Sequence, residues 1–455
     1  MFENILGQPV INLLASDIAG GVLAPSMLFS GPPASGKGSA ALELGRILSC
    51  ENSGAPWNCS CSACAHHRLL LHPDLLLLGP RPFSEETAAS AAAFLRNPRI
   101  AGAKFLFIRS VRKLLARFSP VLWEDDPKIS KLNPLIQSLE EGLEELDLTA
   151  AANSDTAGEG DPDPEALKKA VDSVLKDAYK LEAEGMGELI PVAQIRRAAY
   201  WSRLAPQGKR KLLVIENADR MQDGARNSLL KILEEPPETV SIVLTTAHHG
   251  GLLPTILSRL RPYSFTRRDS DTELKVIRQV FRDGAFTPAG KEGLIQTYLE
   301  SFLPVSGETL YPLAALFTAS VARGAALLLK RSGAPLSEAI VALGKYSAPI
   351  AEAAGLGRPR EDTGGLVVAI MAGADNFGIR SQFSRFLALL LGVSGESLKG
   401  LPPEGGSIAC REIWRKAVQE AEIALGTNLS VPLILDQLAT ELRKAMANYG
   451  SPLFT

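Results

Sequence analysis

The feature that most constrains this chain is the run Gly31-Pro32-Pro33-Ala34-Ser35-Gly36-Lys37, set between a short apolar strand, Met27-Leu28-Phe29, and a helical stretch. In such a loop the backbone N–H groups and the N-terminus of the following helix cradle phosphates, and the lysine reaches the terminal ones. Ala41, Leu44, Gly45 and Leu48 then recur at the spacing of one buried helix face. Leu75 to Leu78, Leu212 to Ile215 and Ile242 to Thr246 are further apolar runs of strand length. Strands apolar on both faces belong in a parallel sheet covered by helices. The expected fold is therefore an α/β P-loop domain, a parallel sheet flanked by helices.

Residues expected at the nucleotide are Gly31, Pro32, Ala34, Ser35, Gly36, Lys37, Gly38, Ser39 and Glu216. Two departures bear on chemistry. The residue after the lysine should carry a hydroxyl that binds Mg²⁺. Here it is Gly38, and Ser39 is turned about 100° further around the helix. At the end of the Leu212–Ile215 strand, hydrolysis wants an aspartate near the metal and then a glutamate that polarises water. The chain has Glu216-Asn217. Glu216 can still approach a metal, but an amide does not accept a proton near pH 7. Weak or absent ATP hydrolysis is expected, with ATP or ADP binding without turnover left open.

Cys50, Cys59, Cys61 and Cys64 fall within fifteen residues. Four thiols suit a closed tetrahedral Zn²⁺ site, structural because no coordination position is left open. The Cys61/Cys64 spacing is the usual knuckle and Cys59-x-Cys61 is tighter. His66 and His67 are spare ligands, and Cys410 stands alone.

A chain of 455 residues predicts two to four domains. Residues about 82–187 interrupt the α/β pattern and read as a mostly helical insertion. Its Arg109, Arg112, Lys113 and Arg117 lie among apolar residues. They have two readings, a contact to DNA or a protein partner and, preferred, a solvated helix face. Ala151 to Glu165 reads as a mobile linker. Leu167, Val171, Val174, Leu175, Ala178 and Leu181 form a helical stripe. Residues 270–455 are helical in pattern. A net charge of −2 argues against a protein that grips DNA alone. No apolar run reaches the roughly 18 residues of a membrane span, and Met1-Phe2-Glu3-Asn4 does not open a signal peptide, so a cytoplasmic address is expected.

These pieces together resemble the bacterial DNA polymerase III clamp-loader family of AAA+ proteins, the gamma/tau and delta-prime subunits. Gly7-Gln8, the P-loop, the four cysteines and His72-Pro73-Asp74 follow in that family's order. Gln194-Ile195-Arg196, the stretch Asn227 to Pro237 (NSLLKILEEPP) and Leu257-Ser258-Arg259 resemble its further motifs, with Leu260 where cysteine is usual. The likeness covers residues 1–80 and about 188–265; the insertion has no counterpart in it. Trp414 to Leu438 looks more loosely like its helical collar domain.

The resemblance implies an AAA+ domain over 1–265 with a zinc module at 50–64, a helical lid over 266–345 and a helical collar over 346–455. Gly38, Asn217 and Ile215 to Met221 look like the delta-prime form, a stationary ring member. Arg259 would then act as an arginine finger in trans in a neighbour's ATP site. Implied partners are the gamma/tau and delta subunits, the beta sliding clamp and, through the assembly, primer-template DNA. Two other readings stand beside it: an active gamma/tau-type ATPase, and a zinc-bearing P-loop adaptor outside replication.

Overall fold

One parallel sheet organises the first part of the computed structural model: β1 Ser26–Ser30, β2 Leu75–Leu78, β3 Lys211–Ile215, β4 Val240–Thr246 and β5 Arg261–Ser264, in the order β2-β3-β4-β1-β5. The structure describes residues 1–152, 163–288, 293–303, 305, 307–360, 363–372, 379–402, 407–425 and 429–449. The chain divides into two compact units, Met1–Phe302 and Leu303–Thr455.

Strands β1, β3 and β4 are buried along their whole length, so they read as continuous apolar runs. Their side chains alternate between two cores. Leu213, Ile215, Ile242 and Leu244 face one core; Leu212, Val214 and Val243 face the other, with Met27 and Phe29. The second core takes the helix Lys37–Ser49 and the cysteine segment. A parallel sheet with helices on both faces fits an α/β AAA+ fold. Edge strand β5 buries only Tyr263, so its Arg-Pro-Tyr-Ser carries no strand signal in the sequence.

The segment after β2 is helical, as expected, with helices Ser84–Arg96, Ala101–Leu115, Pro120–Trp123, Pro127–Ala152 and Pro164–Gly185. It is not an appendage. Phe83, Phe94, Phe107 and Trp123 share the core that covers the Leu213 and Ile215 face of the sheet. Alanines and serines let the first two helices approach closely, and Ser90 and Ser110 share a hydrogen bond at 2.8 Å. The Val171, Val174, Ala178 and Leu181 stripe joins the same core as Leu139 and Leu143. Of the expected linker, residues 153–162 lie outside the described residues. Its ends are helical instead: Asp163 caps the last helix by accepting from the Glu165 N–H.

Helices Ser270–Val280 and Leu294–Glu300 complete the first unit, packing Ile277 and Tyr298 against Ala89 and Ala93. Among its described residues the second unit is all helical, running from Gly307–Ser332 to Val431–Tyr449. Helix Gly307–Ser332 corrects one expectation, because it is long and apolar enough on average to cross a membrane. Yet 67% of that apolar window is buried inside the protein. It is the core helix of the second unit, and its Phe317 packs edge-on against Phe386.

Candidate functional site

The P-loop leaves β1 at Gly31 and enters the helix Lys37–Ser49. Gly36 has φ 94°, a conformation that favours glycine, and the Arg268 guanidinium lies over it, 2.7 Å from where a Cβ would stand. Arg268 donates to the carbonyls of Leu6 and Ala34 at 2.8 and 2.5 Å, tying the loop to the N-terminal segment. Gln8 joins the same seam with a two-way bond to the Thr266 backbone. Lys37 turns back on its own loop, donating to the Gly31 and Pro32 carbonyls at 2.6 Å each and to Ser35 Oγ at 3.3 Å. Burial draws its ammonium down to about 8, against the attraction of Glu216 and Asp219. Ser39 is exposed and offers no replacement for the missing hydroxyl.

Glu216, at the end of β3, faces Gly38. A Cβ on Gly38 would stand 2.5 Å from Glu216 Oε1. The carboxylate is ion-paired with Arg117 and lies 3.6 Å from Arg81. Burial opposes its charge, but Arg117, then Arg81 and Lys113, hold the carboxyl below its usual range. Arg81 and Lys113 also pair with Glu86. Asn217 adopts φ 49°, a left-handed conformation that asparagine tolerates. Its amide donates to the Pro80 carbonyl at 2.7 Å, so this side chain anchors the start of the inserted segment.

The stretch Arg109 to Arg117 is not the solvated face that its charge suggested. Arg117 is 4% exposed. Lys113 reaches Glu86, and Arg109 reaches the backbone carbonyls of His67 and Arg68. Lys113 and Arg117 point inward because Glu86, on the helix Ser84–Arg96, and Glu216, just past β3, compensate them. Arg109, Arg112 and Lys113 are half-buried and Arg117 is buried.

The four cysteine sulfurs lie within 4.8 Å of one another, and Cys50, Cys59 and Cys64 are buried. The set fits a closed tetrahedral site with no open position. Sulfur acceptors are served by N–H donors: Asn52 Nδ2 to Cys59 at 2.9 Å and Arg46 Nη1 to Cys64 at 3.1 Å. The Cys61 N–H and the Asn52 amide pull the Cys59 thiol down to about 6. Arg46 also pairs with Glu43 and donates to the Ala55 and Pro56 carbonyls, so it fixes the cysteine loop to the P-loop helix. His66 and His67 stand outside the cluster. His66 bonds the Ser62 carbonyl, and His67 bonds Ser49 and stacks on His72. Asp74 accepts from the backbone N–H groups of Gln207 and Gly208 at 3.0 and 2.6 Å, which explains the His-Pro-Asp segment as a clasp on the loop before β3.

Arg259 is exposed, just past the helix Pro254–Leu257. It donates to Glu234 Oε1 at 2.8 Å and to the Thr255 carbonyl at 2.7 Å, and neither partner belongs to the chain's own P-loop. Sequence reasoning missed Arg81, Glu86 and Arg268, and it put Arg117 on the wrong side of the helix. The only signal for the cluster was basic residues at helical spacing with apolar ones on both sides, an arrangement that a buried ion-pair cluster and a solvated face share.

A family described as DNA polymerase III, delta subunit, matches residues 145–269. The delta' subunit of DNA polymerase III from Bacillus subtilis is 37% identical over 90 residues, which is 20% of this chain and 27% of the relative. The delta' subunit from Pseudomonas aeruginosa is 38% identical over 84 residues, 18% of this chain and 26% of the relative. The gamma/tau subunit from Mycobacterium tuberculosis is 30% identical over 89 residues, 20% of this chain and 15% of the relative. The chain thus spans less than a third of the length of each of these relatives.

Proposed function

We propose, for a chain that belongs to the DNA polymerase III clamp-loader family, that it serves as a delta-prime-like stator which supplies Arg259 in trans to a neighbour's ATP site. The observation that carries this reading is the contrast between two sites. Arg259 is exposed and paired only with surface groups of its own chain. The chain's own P-loop lacks the metal-binding hydroxyl at Gly38, and Asn217 commits its amide to Pro80. A guanidinium that reaches a γ-phosphate stabilises the charge that develops on transfer. Hydrolysis then happens in the neighbour, and this chain holds position.

Its partners on this reading are the gamma/tau and delta subunits, the beta sliding clamp and, through the assembly, primer-template DNA. The work done is ATP-dependent placement of the clamp on primed DNA in the cytoplasm. Cys50, Cys59, Cys61 and Cys64 would hold one structural Zn²⁺, which cross-links the cysteine loop when bound. On this reading residues 266–345 and 346–455 would be the lid and the collar, while the compact units divide at Phe302 and Leu303. Clamp loading by the reconstituted complex tests the proposal. Arg259→Ala should abolish loading while the chain still co-elutes with the gamma and delta subunits. Loading that persists with Arg259→Ala would refute the trans role. Hydrolysis by this chain alone would instead favour the active gamma/tau-type motor.

A further inference from the structure

Gly38 and Glu216 are the two positions from which a P-loop site would hold a divalent cation, and neither is free to do so here. Glu216 is one methylene longer than the aspartate expected at the end of β3. It reaches into the space that Gly38 leaves open, and a side chain at position 38 would meet its Oε1 at 2.5 Å. The carboxylate already has a cation: the Arg117 guanidinium, delivered by the inserted segment and 4% exposed, with Arg81 at 3.6 Å on the other oxygen. Both guanidinium groups lie over the Phe83 ring, at 5.5 and 4.9 Å. Arg117 Nε and Nη1 have no hydrogen-bond partner among the described residues. Among the described residues Glu216 is thus the hydrogen-bond acceptor of the Arg117 guanidinium. The cavity that Gly38, Arg81, Lys113, Arg117 and Glu216 line, with apolar side chains behind them, is about 10 Å³, close to the lower limit for a single water and too small for a hydrated Mg²⁺, which gives up its waters reluctantly.

We propose that Arg117 stands in place of the divalent cation beside Glu216, so that the inserted segment closes the metal half of this P-loop and the chain binds no Mg²⁺ there. A buried carboxylate left unpaired is costly, so Arg117 and Glu216 act as a unit. This goes beyond the trans role of Arg259, and its failure would leave that role untouched, because the role is read from the neighbour's turnover.

The test is the response of the full chain to Mg²⁺, read by melting temperature and by binding of a fluorescent ATP analogue, in Mg²⁺-free buffer and with saturating MgCl₂. The wild-type chain should show no Mg²⁺-dependent change in either, whether or not the analogue binds. Analogue binding about tenfold tighter with Mg²⁺, or a wild-type melting temperature raised by Mg²⁺, would overturn the proposal. Arg117→Ala should melt lower and recover part of the loss with Mg²⁺. Arg117→Ala combined with Glu216→Gln should not respond to Mg²⁺. A folded Arg117→Ala chain without Mg²⁺ recovery would also contradict it. Should that variant fail to fold, the wild-type measurements still decide.

Discussion

Arg259 and Glu234 form an ion pair at 2.8 Å across 25 residues of sequence, joining the Ser-Arg motif to the first glutamate of the Glu-Glu-Pro-Pro stretch. The pair is open to water on both sides, with side-chain exposures of 33% and 51%. Exposed pairs contribute about 0–1 kcal/mol, so Arg259 is held lightly and can leave Glu234 for a stronger partner. Glu234→Ala should change stability by less than about 1 kcal/mol in a denaturant melt and leave clamp loading intact. A larger loss would mean that the pair is structural.

The cysteine cluster predicts a metal-dependent fold for the segment around Cys50 to Cys64. Purified protein should carry about one Zn²⁺ per chain, measured by mass spectrometry of the metal. A strong chelator should lower the melting temperature, and Cys64→Ser should reduce the zinc content. Full zinc occupancy in the Cys64→Ser chain would mean that this sulfur is not a ligand.

Asp74 is the acceptor for two backbone N–H groups more than 130 residues away in sequence. Asp74→Ala leaves both donors without their acceptor, and should cost about 1–3 kcal/mol in a urea melt. A change below experimental error would show that water replaces the clasp.

Glu182 sets a pH dependence. Its carboxylate accepts from the Phe83 and Ser84 N–H groups at 2.9 Å each. Burial pushes its carboxyl up to about 7, against these bonds, from an ordinary 4.5. Between those values the folded chain keeps a proton that the unfolded chain has released. This group's contribution is therefore complete below about 4.5 and is lost as pH rises through about 7. The difference in stability between wild-type and Glu182→Gln chains should drift in that direction over the same window. A difference independent of pH would contradict the account.

Much of this was legible in the residues. Strands β1 to β4 are apolar on both faces, so they stand out as runs. The P-loop and the cysteine spacing are local patterns that tolerate little variation. β5 escaped because an edge strand buries one side chain in four, and Arg-Pro-Tyr-Ser has no period to detect. The inserted segment was legible as helical but not in its role. Charge that points inward looks the same in sequence as charge that points outward, until the facing Glu86 and Glu216 are known. Gly38 and Asn217 read at first as simple losses. In the structure both residues contribute something, since Gly38 makes room for the Glu216 carboxylate and Asn217 anchors Pro80.

The measurement that bears most directly on the central claim is ATP turnover by the reconstituted clamp loader containing the wild-type chain, Arg259→Ala or Lys37→Ala. A stator that acts in trans predicts that Arg259→Ala lowers turnover at the neighbouring site by about 10³-fold or more, while Lys37→Ala leaves turnover nearly unchanged. If Lys37→Ala is the damaging change and Arg259→Ala is tolerated, the chain's own P-loop is the working site and the stator account is wrong.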